Sequence, residues 1–197
     1  MSVVDTARRR ATRARLVEAA IVEFARNGID ATSVETLCDA AGFTRGAFYS
    51  NFGSKDDLCV EIARHSAETT AERFREVLAN MAPEIEPEEI IPAILDAAHF
   101  TPELHTTQVE LTLRAARHPE FGERLRNARQ DLWPLYVELA EQAAARAGVR
   151  FTAPVTDVLD IVEALHYSPQ QLGYTSDSRR LISIVSWALV EPVKEEA

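Results

Sequence analysis

The chain has 197 residues, 46% hydrophobic and 26% charged, with a net charge of −10 and two cysteines. This composition excludes a disordered chain, a disulfide scaffold and a membrane-spanning one, because no apolar run approaches the roughly 18 residues a bilayer requires. With no secretory signal recognisable at the Arg-rich N-terminus and cysteines suited to a reducing compartment, the expected location is the cytoplasm.

The charge is unevenly distributed. Residues 1–55 carry 8 basic and 6 acidic side chains, a net of +2, whereas residues 56–197 carry 13 and 25, a net of −12. Five arginines, Arg8, Arg9, Arg10, Arg13 and Arg15, fall within the first 15 residues. Such asymmetry points to a short cationic module on an acidic body.

In chain order, Leu16, Val17, Ala20, Ile21 and Phe24 form a helical stripe that Asn27-Gly28 stops. Thr32, with Glu35 three residues on, reads as a capping box for a second helix carrying Val34, Leu37, Cys38 and Ala41. Gly42 closes it, Thr44 caps a very short third helix, and Ser54 caps a fourth that runs to about Met81. Beyond it, Pro87, Pro102, Pro119 and Pro154 each precede an amphipathic stretch, as first-turn prolines do. Pro92 and Pro134 mark kinks or starts, and Gly148 and Pro169 mark stops. A last helix spans about Ser178 to Val190, and no alternating strand of useful length is found. The expected fold is all-α with about nine helices. Residues 1–53 are expected to form a small cationic head, and residues 54–197 a larger body whose first helix, about 54–81, joins the two.

The segment 33–52, SVETLCDAAGFTRGAFYSNF, reads as helix, tight turn, helix. Phe43, Ala47, Phe48 and Phe52 point to the core, which leaves Thr44, Arg45, Gly46, Tyr49 and Ser50 outward. A hydroxyl, a guanidinium, a bare backbone and a phenol at a helix N-terminus suit a DNA major groove.

The longer segment TSVETLCDAAGFTRGAFYSNFGSKDDL resembles the DNA-binding signature of the TetR family of transcriptional repressors. The match lies in Thr32, Ala41-Gly42-Phe43-Thr44, Phe48-Tyr49, Phe52 and Lys55, within residues 12 to 62. Asn51 stands where that family usually has His, and Cys38 where it usually has Ala. The resemblance implies a three-helix head, a connecting fourth helix and a helical body that binds a small-molecule effector and dimerises. It assigns phosphate contacts to Thr44 and Tyr49 and an anchoring role to Lys55, and it makes Arg45, Gly46 and Ser50 the base-edge contacts. Thr32, Ser33 and Asn51 complete the expected DNA surface, with the Arg8–Arg15 arm tracking phosphate or entering the minor groove.

For the body, the resemblance implies a dimer interface through the last two helices, where Leu159, Val162, Leu165 and His166 face Leu181, Ile184, Val185 and Ala188. The effector pocket is expected among His99, Phe100, His105, Gln108, Trp133, Tyr136 and Tyr167, polar and aromatic groups set among apolar neighbours. The function expected is a ligand-responsive repressor that binds a palindromic double-stranded DNA operator as a homodimer, with no cofactor, no metal and no membrane.

A rival reading from another class is a helical di-metal carboxylate enzyme using Asp96/His99 and Glu163/His166, two acid-x-x-His pairs. Asp is atypical there, the further glutamates would have to be Glu110 or Glu138, and His166 falls on the expected dimer face. No GxSxG, HExxH, P-loop or dinucleotide fingerprint is present, so an enzyme is not expected.

Overall fold

The structure, a computed structural model, describes residues 3–81, 90, 93, 96, 101–166 and 178–193. Nine helices lie among them. The first four are α1 (Val3–Asn27), α2 (Val34–Ala41), α3 (Arg45–Asn51) and α4 (Lys55–Asn80). Then come α5 (Pro102–Arg117), α6 (Pro119–Gln130), α7 (Trp133–Arg146), α8 (Val155–His166) and α9 (Ser178–Ala188). The all-α expectation holds except for one antiparallel pair, β1 (Val149–Phe151) with β2 (Val190–Pro192), in the register Arg150↔Glu191. Three-residue strands are too short to show an alternating pattern. Their pairing also ends the last helix at Ala188, before the expected Val190.

The packing divides into two units, Met1–Ser66 with Phe100–Gln130, and Ala67–His99 with Asp131–Ala197. In the first, Leu16, Val17, Ala20 and Phe24 of α1 are buried with Leu37, Cys38 and Ala41 of α2, Phe48 and Phe52 at α3, and Leu58, Cys59 and Ile62 of α4. This is the stripe-on-stripe burial that an apolar residue every three or four positions dictates. Local stops make the turns. Gly28 and Gly42 take φ +80° and +71°, a left-handed conformation that costs other residues roughly 1–2 kcal/mol. Thr44 Oγ1 accepts from Ala47 N, and Ser54 Oγ from Asp57 N, as the sequence led us to expect.

The α2 cap differs from expectation. Ser33 accepts from Thr36 N at 3.0 Å, whereas Thr32 is buried and donates its hydroxyl to Gly28 O at 2.7 Å. The helix therefore starts one residue later than a Thr32–Glu35 capping box requires.

Helix α5 completes the first unit. Thr101 caps it and Pro102 occupies its first turn. One face then reads the end of α1 and the turn after it. The buried Thr107 hydroxyl donates to Ile21 O at 2.8 Å, Glu110 Oε2 accepts from Ile29 N at 3.2 Å, and Leu111 joins the core.

In the second unit Ala71 and Leu78 of α4 pack with Leu139 and Ala143 of α7. The Tyr136 hydroxyl donates to Ala67 O at 2.8 Å, and the Phe74 ring meets Tyr136 edge-on. Gly148 turns the chain from α7 into β1 at φ +64°. Helices α8 and α9 pack together; Val158 and Ile182 are buried, and Ile161, Leu181 and Ile184 are exposed.

Candidate nucleic-acid interface

The second helix of the 33–52 unit presents its polar set outward. Thr44, Arg45, Gly46, Tyr49 and Ser50 are all exposed, while Phe48 is fully buried and turns Gly46, Tyr49 and Ser50, one or two positions from it, away from the core. Tyr49 is half exposed, its ring edge-on to Phe48 with centroids 5.3 Å apart. Ser50 Oγ donates to Ala47 O at 2.9 Å and accepts from Asn51 Nδ2 at 3.3 Å. Gly46 has no Cβ to hold a surface away from the helix N-terminus.

The basic residues upstream belong to a helix rather than a loose arm. Arg8, Arg9 and Arg10 are exposed on α1, Arg9 touching Ser50 O at 3.4 Å. Arg13 is half-buried, and Arg15, though exposed, likewise reaches another helix. Arg13 donates to Asn51 O and pairs with Glu61, and Arg15 donates to Ala41 O.

Three further expected contacts are placed as follows. Lys55 Nζ donates to Ile29 O at 2.5 Å and Thr32 O at 3.0 Å, tying α4 to the turn before α2. Ser33 is exposed at the α2 N-terminus, with its oxygen accepting from Thr36 N, while Thr32 is not on the surface. Asn51 Nδ2 donates to Ala47 O at 2.8 Å, and its Oδ1 is buried without a partner.

The sequence profile of bacterial regulatory proteins of the tetR family matches residues 16–62, the stretch from the α1 stripe through Ile62. Residues 16–62 thus match the DNA-binding domain of the TetR family. It is 30% identical over 114 residues to the transcriptional repressor KstR2 of Mycobacterium tuberculosis strain H37Rv, a match spanning 56% of each chain. It is also 43% identical over 51 residues to the probable acrEF/envCD operon repressor of Escherichia coli K12, covering 26% of this chain and 23% of that one. The chain thus matches about half the length, or less, of these curated relatives. Among solved structures, a TetR-family regulator from Rhodococcus superposes with a TM-score of 0.72 at 16% identity, over 91% of this chain and 98% of that one. Salmonella enterica GusR superposes with 0.68 at 21% identity, over 91% and 95%. Both share the TetR-family fold.

The expected effector-pocket residues fall in separate places. His105 and Gln108 lie on α5 in the first unit, where Gln108 Nε2 meets Ser66 Oγ at 3.3 Å and the buried His105 Nε2 has no hydrogen-bond partner. Trp133 and Tyr136 lie on α7 in the second, with ring centroids 6.4 Å apart. Burial pushes the Tyr136 phenol up to about 12, so it stays a neutral donor. His99, Phe100 and Tyr167 lie outside the described residues.

On the expected dimer face, Leu181, Ile184 and Ala188 are exposed and Leu159, Val162, Leu165 and Val185 half-buried, while the His166 side chain lies outside the described residues. Among the described residues no group of three or more His, Cys, Asp or Glu is placed to hold a metal ion. His99 and the side chain of His166, the histidines of the two acid-x-x-His pairs, fall outside that set. No described helix is long and apolar enough to cross a membrane.

Sequence reasoning missed the polar face of α5. Thr107, Glu110 and Arg114 meet partners 58 to 86 residues away in the chain. The spacing of 107, 110 and 114 on one helical face was the available signal, but nothing in it named the partners.

Proposed function

We propose that this chain is a ligand-responsive transcriptional repressor that binds a palindromic operator as a homodimer and releases it when a small molecule occupies the body. The observation that carries the reading is the exposed α3 face, where four polar side chains and Gly46 lie outside a buried Phe48. In this reading Arg45, Gly46 and Ser50 meet base edges, and Thr44 and Tyr49 meet phosphates, with Arg8 and Arg10 adding charge along the backbone. The relatives that match the head carry repressor names, which favours repression over activation. Two copies joined through the exposed apolar face of α8 and α9 would present two recognition helices, as a palindrome requires. Release then needs an effector that binds the DNA-incompetent arrangement more tightly, a coupling of about 1–3 kcal/mol in typical cases.

The test is selection of random-sequence duplexes by the purified protein, with salt varied. A recovered palindrome, bound about 5- to 150-fold more weakly by Arg45→Ala, supports the reading, that range being the value of one bidentate base contact. If folded protein enriches no sequence at any salt concentration, the DNA-reading role is lost.

A further inference from the structure

We propose that Arg13 is a positioning residue for the recognition helix and not a contact to the DNA backbone. The inference rests on the DNA-reading function proposed above and concerns how the reading surface is held.

Helix α3 has seven residues, too few to be stable by themselves, so its direction is set by whatever clamps its ends. Thr44 holds the N-terminal end by its cap. At the other end, the last carbonyls of a helix have no partner within it, and a cation there is favoured by both hydrogen bonding and the helix dipole. Arg13 fills that place. Its Nη1 donates to Asn51 O at 2.6 Å, its Nη2 pairs with Glu61 Oε2 on α4 at 2.7 Å, and its Cζ lies 4.3 Å from the Phe52 ring centroid. One guanidinium thus ties α1, the end of α3 and α4 together, using both edges and a face of the group.

Two residues on, Arg15 treats α2 in the same way. Its Nη2 donates to Ala41 O at 2.9 Å and its Cζ lies 4.8 Å from the Phe43 ring centroid. Each helix of the helix-turn-helix therefore ends on an arginine of α1. Arg13 is half-buried and Arg15 exposed, yet both guanidiniums are engaged by the ends of neighbouring helices, so the basic run divides into residues that hold the head and, at Arg8 and Arg10, residues that meet solvent.

A phosphate-contacting arginine and a positioning arginine make opposite predictions. Lysine at position 13 keeps the charge but cannot hold a carbonyl, a carboxylate and a ring together. Glu61→Gln leaves Arg13 in place but removes its carboxylate partner. If Arg13 met phosphate, Arg13→Lys would bind like the wild type and Glu61→Gln, with a freed guanidinium, would bind more tightly.

The experiment measures binding of the full-length protein by fluorescence anisotropy, to the selected operator and to a scrambled duplex of equal length, across a salt series. Arg13→Lys and Glu61→Gln are each expected to lose at least about fivefold of the operator-over-scrambled ratio, as if one bidentate base contact were misaligned. Their binding to scrambled duplex and their salt slopes stay at wild-type values. Arg10→Gln, as a comparison, is expected to lower the slope by about 0.9, the value of one phosphate contact. An unchanged operator ratio in Arg13→Lys overturns the proposal, even if its thermal midpoint falls, because the residue would then be only a stabilising one. Tighter binding by Glu61→Gln overturns it too. Wild-type protein that discriminates no sequence marks failure of the DNA-reading function itself, a result visible before any variant is compared.

Discussion

Arg114 on α5 reaches Asp56 in the first turn of α4 with two nitrogens, Nε donating to Oδ1 at 2.9 Å and Nη2 lying 2.8 Å from the same oxygen. The third nitrogen, Nη1, pairs with Asp30 after α1, and the guanidinium lies 5.6 Å from the Phe121 ring centroid on α6. With Glu110 and Thr107 about one and two turns earlier on the same face, α5 is held to the head by polar contacts along its length. The helix-turn-helix is therefore one part of a larger packed unit, and a displacement of α5 must either carry the head with it or break these contacts.

The Arg114 side chain is only 16% accessible, so truncation strands the largely buried Asp56 carboxylate and removes packing on Phe121. Arg114→Ala is expected to cost about 2–3 kcal/mol, within the range for charge-assisted hydrogen bonds that are partly buried. Arg114→Lys should recover less than half of this, because an ammonium cannot reach both aspartates and cover the ring. Urea unfolding provides the numbers, and a midpoint unmoved in Arg114→Ala would show that the clamp contributes nothing to stability.

The head was legible in the sequence because its determinants are local. Gly42, Thr44 and Ser54 fix helix ends within three residues of themselves, and the stripe around Leu37 and Phe48 declares its own period. The clamps were not legible, since nothing near Arg13 in the chain names Asn51, 38 positions on, and nothing near Thr107 names Ile21, 86 positions back. The misplaced α2 cap has the same origin. Thr32 and Ser33 are equally good cap residues, and what decides between them is the buried carbonyl of Gly28, which takes the Thr32 hydroxyl. The three-residue strands depend wholly on a partner about 40 residues away and have no signature of their own.

Cys38 and Cys59 are both buried in the head core. Burial pushes the Cys59 thiol up to about 12, and burial and Asp39 raise Cys38 as well, so neither offers a thiolate near neutral pH. At about pH 8 the folded protein is expected to be inert to a thiol-specific chromogenic reagent, whereas in concentrated urea both thiols react. Rapid labelling of one thiol in the folded protein would show that the head opens locally.

Asp57 on α4 is a probe of acid sensitivity. Its partial burial disfavours the charge, but hydrogen bonds from Arg124 on α6 and from Ser54 outweigh it and hold the carboxyl below its usual value. A carboxyl lowered in the folded state stabilises the protein above its unfolded value, about 3.9, and loses that contribution as pH falls through the folded one. The stability gap between wild type and Asp57→Asn should therefore be full at about pH 6 and close as the solution is taken below about pH 3. A gap that stays constant over this range would mean that the Arg124 pair adds no pH-dependent stability.

Ile184 on α9 is 53% exposed and lies three residues from exposed Leu181, while Ile182 between them is buried. An isoleucine so exposed contributes little to the core of its own chain, so its burial has to come from elsewhere if it is to matter. In the homodimer proposed here, Ile184→Glu places a charge in the apolar contact between two copies. The variant is expected to keep its helix content and unfolding midpoint, sediment as a monomer and bind the operator at least about tenfold more weakly, since a single head holds only one half-site. Ile182→Glu is the counterpart, expected to destabilise the fold itself. A dimer that persists in Ile184→Glu at wild-type affinity would move the interface off this face, because a buried unpaired carboxylate in a two-fold contact is repeated in both copies and has no partner to offset it.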